Sequence, residues 1–126
     1  MTSIVQINPT ARPSLLLVED DDGIRRSLQL LLQGQGFDVR SFGSSRPALA
    51  DPMTADAHYL VIDYVLTDSD GIAVLRRFNE RGWKGVAVLI TAFASPQVRA
   101  SAIAAGFAAV LDKPFRDDEL VAALAH

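Results

Sequence analysis

The stretch Leu15–Leu28, "LLLVEDDDGIRRSL", runs four aliphatic residues into four acids and then into a helical repeat. Leu15 to Val18 is a short unbroken apolar run, the pattern of a strand buried on both faces. Beyond the acids, Ile24, Leu28, Leu31 and Leu32 recur at helical spacing, and Gly34 and Gly36 end that helix. The acids between strand and helix carry a cost. Two carboxylates roughly 4 Å apart repel by about 1 kcal/mol in bulk water and about 4 kcal/mol at an effective dielectric of 20. Either something compensates that repulsion or the charges point apart.

The same strand-then-helix unit repeats along the chain. Phe37 to Phe42 reads as a second, more alternating strand, and residues 45 to 51 as a short helix with Pro47 in its first turn. Tyr59 to Ile62 is a third strand, and Ile72, Leu75 and Phe78 mark a helix ended near Gly82. Val86 to Ile90 is a fourth strand, followed by an alanine-rich helix from Pro96 to Ala105 stopped by Gly106. Ala108 to Leu111 is a fifth strand, and Asp117 to Ala125 closes the chain as a helix with Leu120, Val121 and Leu124 on one face. Residues 1–13 read as a tail broken by Asn8-Pro9 and Arg12-Pro13, with Ile4, Val5 and Ile7 available for a short contact. The pattern predicts (βα)₅: a parallel sheet covered on both faces, spanning residues 14–126 as one domain.

Composition narrows the class. With 126 residues, 49% hydrophobic, the chain can bury a real core in one domain. A net charge of −3 and the lack of any basic run argue against a nucleic-acid surface. There is no cysteine, hence no disulfide framework and no thiolate metal site. No apolar run is long enough to span a bilayer, and the first residues lack a signal peptide's charged start and apolar core. These features predict a cytoplasmic domain without a membrane contact.

Open α/β sheets bind ligands beyond the carboxyl ends of their strands. Glu19 and Asp20 follow the first strand, Asp63 the third, Thr91 the fourth, and Lys113 with Pro114 the fifth. Converging carboxylates without thiols or imidazoles suit a hard cation such as Mg²⁺, which keeps water positions open for phosphate. A lysine and a hydroxyl beside it suit the remaining oxygens of a phosphoryl group. A carboxylate there can be a nucleophile that forms an acyl phosphate.

Four segments, "LLLVEDDDGIRRSL", "YLVIDYVLTDSDGIAVL", "VLITAF" and "AAGFAAVLDKPF", stand in an order and at a spacing that resemble the receiver domain of a two-component response regulator. The resemblance covers residues 15 to 125. It implies a flavodoxin-like three-layer sandwich, doubly wound, with strand order 2-1-3-4-5. It implies Asp63 as phosphoacceptor, Asp20 as a direct ligand of Mg²⁺ (or Mn²⁺), Glu19 completing the acid pair through water, and the Val65 carbonyl on the metal. It implies that Thr91 contacts the phosphoryl group and moves on activation, that Lys113 pairs with the phosphate, and that Ala92 leaves the site open. The Lys113-Pro114 bond is expected to be cis. A sensor histidine kinase or a phosphotransfer protein would donate the phosphoryl group. An output partner or a second copy would meet the face of the fourth helix, fifth strand and fifth helix. The activity is that of a signalling domain assisting its own phosphorylation and dephosphorylation, not of an enzyme.

This chain departs from the family pattern at Val110, where an aromatic residue is usual, so coupling through an aromatic rotamer is not expected. Thr67 stands where proline is common, His58 where aspartate is usual, and Glu19 lengthens the first acid. Val65 and Phe93 are apolar where they would flank the phosphoryl group, which predicts a long-lived phosphoaspartate. Other residues have plainer readings. Asp21 or Asp22 is a helix cap, Asp68 and Asp70 serve turns and caps, and Arg25, Arg26, Arg76 and Arg77 are solvated helix faces. His58 and His126 lie in no helical-bundle pattern, so the phosphohistidine must come in trans. Gly34-Gln35-Gly36 precedes a strand and is no dinucleotide fingerprint. A haloacid-dehalogenase-like phosphatase would use Asp20 as nucleophile and Asp22 as acid, but it leaves Asp63 idle and has no room for a cap domain. The domain is too short to include a DNA-binding output. It is a stand-alone receiver or part of a longer regulator or hybrid kinase, with the Met1 start counting weakly against an internal position.

Overall fold

A computed structural model describes residues 12–92 and 94–125. The strands are β1 (Ser14–Val18), β2 (Asp38–Phe42), β3 (Tyr59–Asp63), β4 (Val86–Thr91) and β5 (Ala109–Asp112). The helices are α1 (Asp22–Gly34), α2 (Ser45–Ala50), α3 (Gly71–Glu80), α4 (Pro96–Ala105) and α5 (Asp117–Ala123). The strands form one sheet in the order β2-β1-β3-β4-β5, and every pairing is parallel. The expected (βα)₅ architecture and strand order are those observed.

Strand side chains alternate between the two faces, and that alternation divides the core. Leu16, Val18, Leu60, Ile62, Ala87 and Leu89 pack on one face against Ala48 of α2, Leu75 and Phe78 of α3 and Ala102 of α4. Leu15, Leu17, Val61, Val88 and Ile90 pack on the other against Leu28 and Leu32 of α1, Leu120 of α5 and Leu124 just after it. β1, β3 and β4 are therefore apolar at nearly every position, as strands covered on both faces must be. β2 and β5 sit at the edges and bury less.

Three local differences from the sequence expectations have clear causes. Phe37 stays outside β2 because its amide donates to Leu32 O at 3.1 Å, closing α1. A 3₁₀ turn, Thr54–Asp56, precedes β3 where no element was expected. The indole N–H of the adjacent Trp83 donates to Ala57 O at 2.8 Å, and its ring meets Phe78 edge-on at 5.5 Å. Asp63 and Thr91 do not follow their strands but are the last paired residues of them, in register with Ile90 and Asp112. Their backbones are thus fixed by the sheet. The expected tail contacts of Ile4, Val5 and Ile7 lie outside the described residues, as do Phe93 and His126.

Candidate phosphoacceptor site

The carboxyl ends of β1, β3, β4 and β5 converge at one edge of the sheet. Glu19, Asp20 and Asp63 each offer an oxygen, and these atoms lie within 4.8 Å of one another. Glu19 is wholly buried, Asp63 is 6% exposed, and Asp20 faces solvent. Lys113 reaches in from the end of β5. Its Nζ donates to Glu19 Oε1 at 2.7 Å and to Asp63 Oδ2 at 2.9 Å. One ammonium thus bridges two buried carboxylates, which answers the repulsion the acid run implied. The Glu19 carboxylate is held by Lys113 and also accepts from Asp21 N at 3.1 Å.

The titration behaviour follows from this geometry. Burial of the Glu19 carboxyl raises its pKa from the usual 4.5 to about 6, outweighing the hydrogen bonds from Lys113 and the Asp21 amide; nearby Asp63 adds to the rise. Burial also disfavours the Lys113 ammonium, but its hydrogen bonds to Glu19 and Asp63 more than offset this and hold its pKa above 10.5. At neutral pH both partners are charged and the pair persists.

The surrounding residues position the site. Val65 N donates to Asp63 Oδ1 at 3.3 Å, while the Val65 side chain is 64% exposed at the mouth. Thr91 is buried at the end of β4, and its carbonyl accepts from Lys113 N at 2.7 Å, tying the two strand ends together. Ala92 is the exposed residue that follows. Val110 packs partly buried against the α2–α3–α4 side of the core. The Lys113-Pro114 bond is cis, as expected.

The acid run divides into different tasks. Asp21, not Asp22, caps α1: its carboxylate accepts from Ile24 N at 2.9 Å. Asp22 points outward, its side chain 91% exposed and paired with Arg25 at 2.6 Å. Asp70 caps α3 by accepting from Ala73 N at 2.9 Å. Asp68 caps a different helix, accepting from Ser45 N and Arg46 N of α2 at 3.0 Å each. Those amides hold its carboxyl below the usual carboxylate range.

Two positioning residues escaped the sequence reading. Arg25, expected on a solvated face, has a side chain only 23% exposed and donates to Glu19 O at 2.8 Å. It anchors the loop that carries the acid pair. Gly71, the first residue of α3, presses on the phosphoacceptor strand: a Cβ there would lie 2.6 Å from Asp63 O and 2.8 Å from Leu89 Cδ1. Its only sequence signal was a glycine at a helix start just after a capping aspartate, where most residues would serve.

The family model for the response regulator receiver domain matches residues 15–125. The transcriptional regulatory protein TdiR of Thauera aromatica is 29% identical over 121 residues, covering 95% of this chain and 53% of that protein. PmrA of Pectobacterium parmentieri, also a transcriptional regulatory protein, is 33% identical over 110 residues, covering 86% of this chain and 49% of that one. The chain thus spans about half the length of these relatives. Among solved structures, the signal receiver domain of an HD domain-containing protein from Pseudomonas fluorescens Pf-5 superposes with a TM-score of 0.82 at 27% identity, covering 90% of this chain and 92% of that one. No helix of the described residues is long and apolar enough to cross a membrane. With motif, sheet order and strand-end residues in agreement, the chain belongs to the response regulator receiver domain family.

Proposed function

We propose that Asp63 takes a phosphoryl group from a phosphohistidine, presented in trans by a sensor histidine kinase or a phosphotransfer protein, and that the modified domain changes its surface to control an output partner. The observation that carries this reading is the convergence of three carboxylates within 4.8 Å beside an ammonium 2.9 Å from Asp63. In the transfer, an Asp63 oxygen attacks phosphorus, the N–P bond breaks, and its electron pair leaves with the imidazole nitrogen as the acyl phosphate forms. Lys113, which neutralises two carboxylates before the reaction, pairs with phosphoryl oxygens after it. Thr91 offers its hydroxyl from the neighbouring strand end, and Ala92 leaves room above it.

The all-oxygen donor set fits Mg²⁺ or Mn²⁺, held by Asp20, Asp63 and the Val65 carbonyl with Glu19 in support. Bound there, the cation would neutralise phosphoryl charge and orient its oxygens. A groove of about 450 Å³ beside Lys113 is lined by Ile24, Leu28, Pro114 and Phe115. Because it borders the site, a donor protein seated on it would bring its imidazole to Asp63. The face of α4, β5 and α5 is where an output partner or a second copy would read the change.

The test is intact mass after incubation with acetyl phosphate and Mg²⁺, for wild type and Asp63→Asn. A single phosphate adduct lost in the variant supports the reading. An adduct retained by the variant, or none from either acetyl phosphate or a cognate kinase, overturns it.

A further inference from the structure

The absence of an aromatic residue at Val110 leaves open how a charge at Asp63 reaches α4. The structure holds a polar link between the end of β5 and α4. Asp112 is the residue before Lys113 and pairs in register with Thr91. Its Oδ1 accepts from Ala94 N, in the β4–α4 loop, at 3.2 Å. Its Oδ2 accepts from Nη2 of Arg99 on α4. The same guanidinium donates through Nη1 to Val110 O at 3.4 Å. One carboxylate therefore fastens both the loop leaving Thr91 and the helix beyond it to the end of β5.

We propose that Asp112 is a positioning residue that latches the β4–α4 loop and α4 to β5, and that phosphorylation is relayed to α4 by release of this latch. The proposal rests on the phosphoacceptor reading of Asp63. A phosphoryl group brings roughly 1.5 to 2 negative charges and three strong acceptors. It competes for the Lys113 ammonium and the Thr91 hydroxyl, the immediate neighbours of the latch in sequence and in register. Thr91 and Lys113 are joined by a 2.7 Å backbone hydrogen bond, so movement of either is felt by the other. With its backbone held in the sheet, Thr91 turns its side chain toward the phosphoryl oxygens, and the space this opens lets the following loop shift and draw Ala94 N away from Asp112. The added charge also repels the Asp112 carboxylate, favouring the same direction. Release frees Arg99 and exposes the α4 face to a partner.

The two states must then be coupled reciprocally: if the phosphoryl group opens the latch, an opened latch must tighten phosphoryl binding by the same factor. The Asp112 and Arg99 side chains are 50% and 44% exposed, so the effect is that of a surface pair, about two- to five-fold. The experiment titrates wild type, Asp112→Asn, Arg99→Gln and the double variant with beryllofluoride and Mg²⁺ by calorimetry. Amide hydrogen exchange across residues 97–105 is measured without beryllofluoride. The latch predicts tighter binding in each single variant, no further gain in the double variant, and faster exchange in α4. A substitution that merely loosened the fold would not tighten binding. Unchanged or weaker binding in the variants, unchanged exchange, or additive gains would overturn the latch. Failure of wild type to bind beryllofluoride would instead overturn the phosphoacceptor reading, and the latch with it.

Discussion

Replacing Gly71 with alanine tests the claim that α3 is braced directly against the phosphoacceptor strand. The added Cβ would lie 2.6 Å from Asp63 O and 2.8 Å from Leu89 Cδ1, both inside van der Waals contact. The leucine methyl can turn aside, but the carbonyl belongs to the paired end of β3 and cannot. Overpacking of this kind costs typically 1–3 kcal/mol, and a clash with fixed backbone belongs near the top of that range. Alanine also reduces the freedom of the unfolded chain, which returns about 0.4–1 kcal/mol. The clash wins, and the net loss is about 2 kcal/mol. For a domain of this size, roughly 3–6 °C of melting temperature accompany each kcal/mol, so Tm should fall by roughly 6–12 °C. Gly34→Ala is the matched control. No atom lies within 4 Å of its added Cβ at the end of α1, so the same chemical change should be neutral or raise Tm slightly. Thermal melts of the two variants decide the matter, and phosphorylation by acetyl phosphate should slow in Gly71→Ala because the clash strains the end of β3 that carries Asp63. If both variants moved Tm in the same direction by similar amounts, the brace would be wrong.

The cap assignment separates neighbouring acids: Asp21→Ala should cost about 1 kcal/mol of stability in a urea titration, whereas Asp22→Ala, which loses only an exposed pair with Arg25, should cost less than half of that. The raised carboxyl of Glu19 sets a pH dependence of the metal-free protein. A group that binds its proton more tightly when folded stabilises fully below its unfolded value of 4.5, and that contribution is lost as pH rises through about 6. Comparing wild type with Glu19→Gln in EDTA from pH 4.5 to 7 should therefore show wild type losing ground as pH rises; parallel curves would rule the assignment out. The apolar pair Val65 and Phe93 predicts slow hydrolysis of the phosphoaspartate, so Val65→Asn and Phe93→Glu should shorten its lifetime, and equal or slower dephosphorylation would count against it.

Much of this molecule was legible in its sequence because the signals are local. A continuous apolar run followed by a helical repeat, five times over, specifies strands buried on both faces and the helices that cover them. Parallel strands all end at one edge, so the residues after each run, Glu19, Asp20, Asp63, Thr91 and Lys113, were bound to converge. Caps such as Asp70 are read off the next few residues.

What the sequence left open depends on contacts between residues far apart in the chain. Lys113 finds Glu19 across 94 residues, and only that meeting supplies a cation to the buried Glu19 carboxylate. Asp68 looks like a turn residue until α2, 23 residues earlier, is brought to its carboxylate. Arg25 reads as solvated until Glu19 O turns toward it. Gly71 reads as an ordinary helix start until the sheet sets Asp63 O where a side chain would go. Periodicity fixes which face a residue takes, whereas the distance between faces is fixed only when the layers close on one another. The run "EDDD" shows both limits. Sequence assigned its acids to a strand end and a helix start, and the closed fold decided that Glu19 is buried on Lys113, Asp20 faces solvent beside Asp63, Asp21 caps, and Asp22 points away.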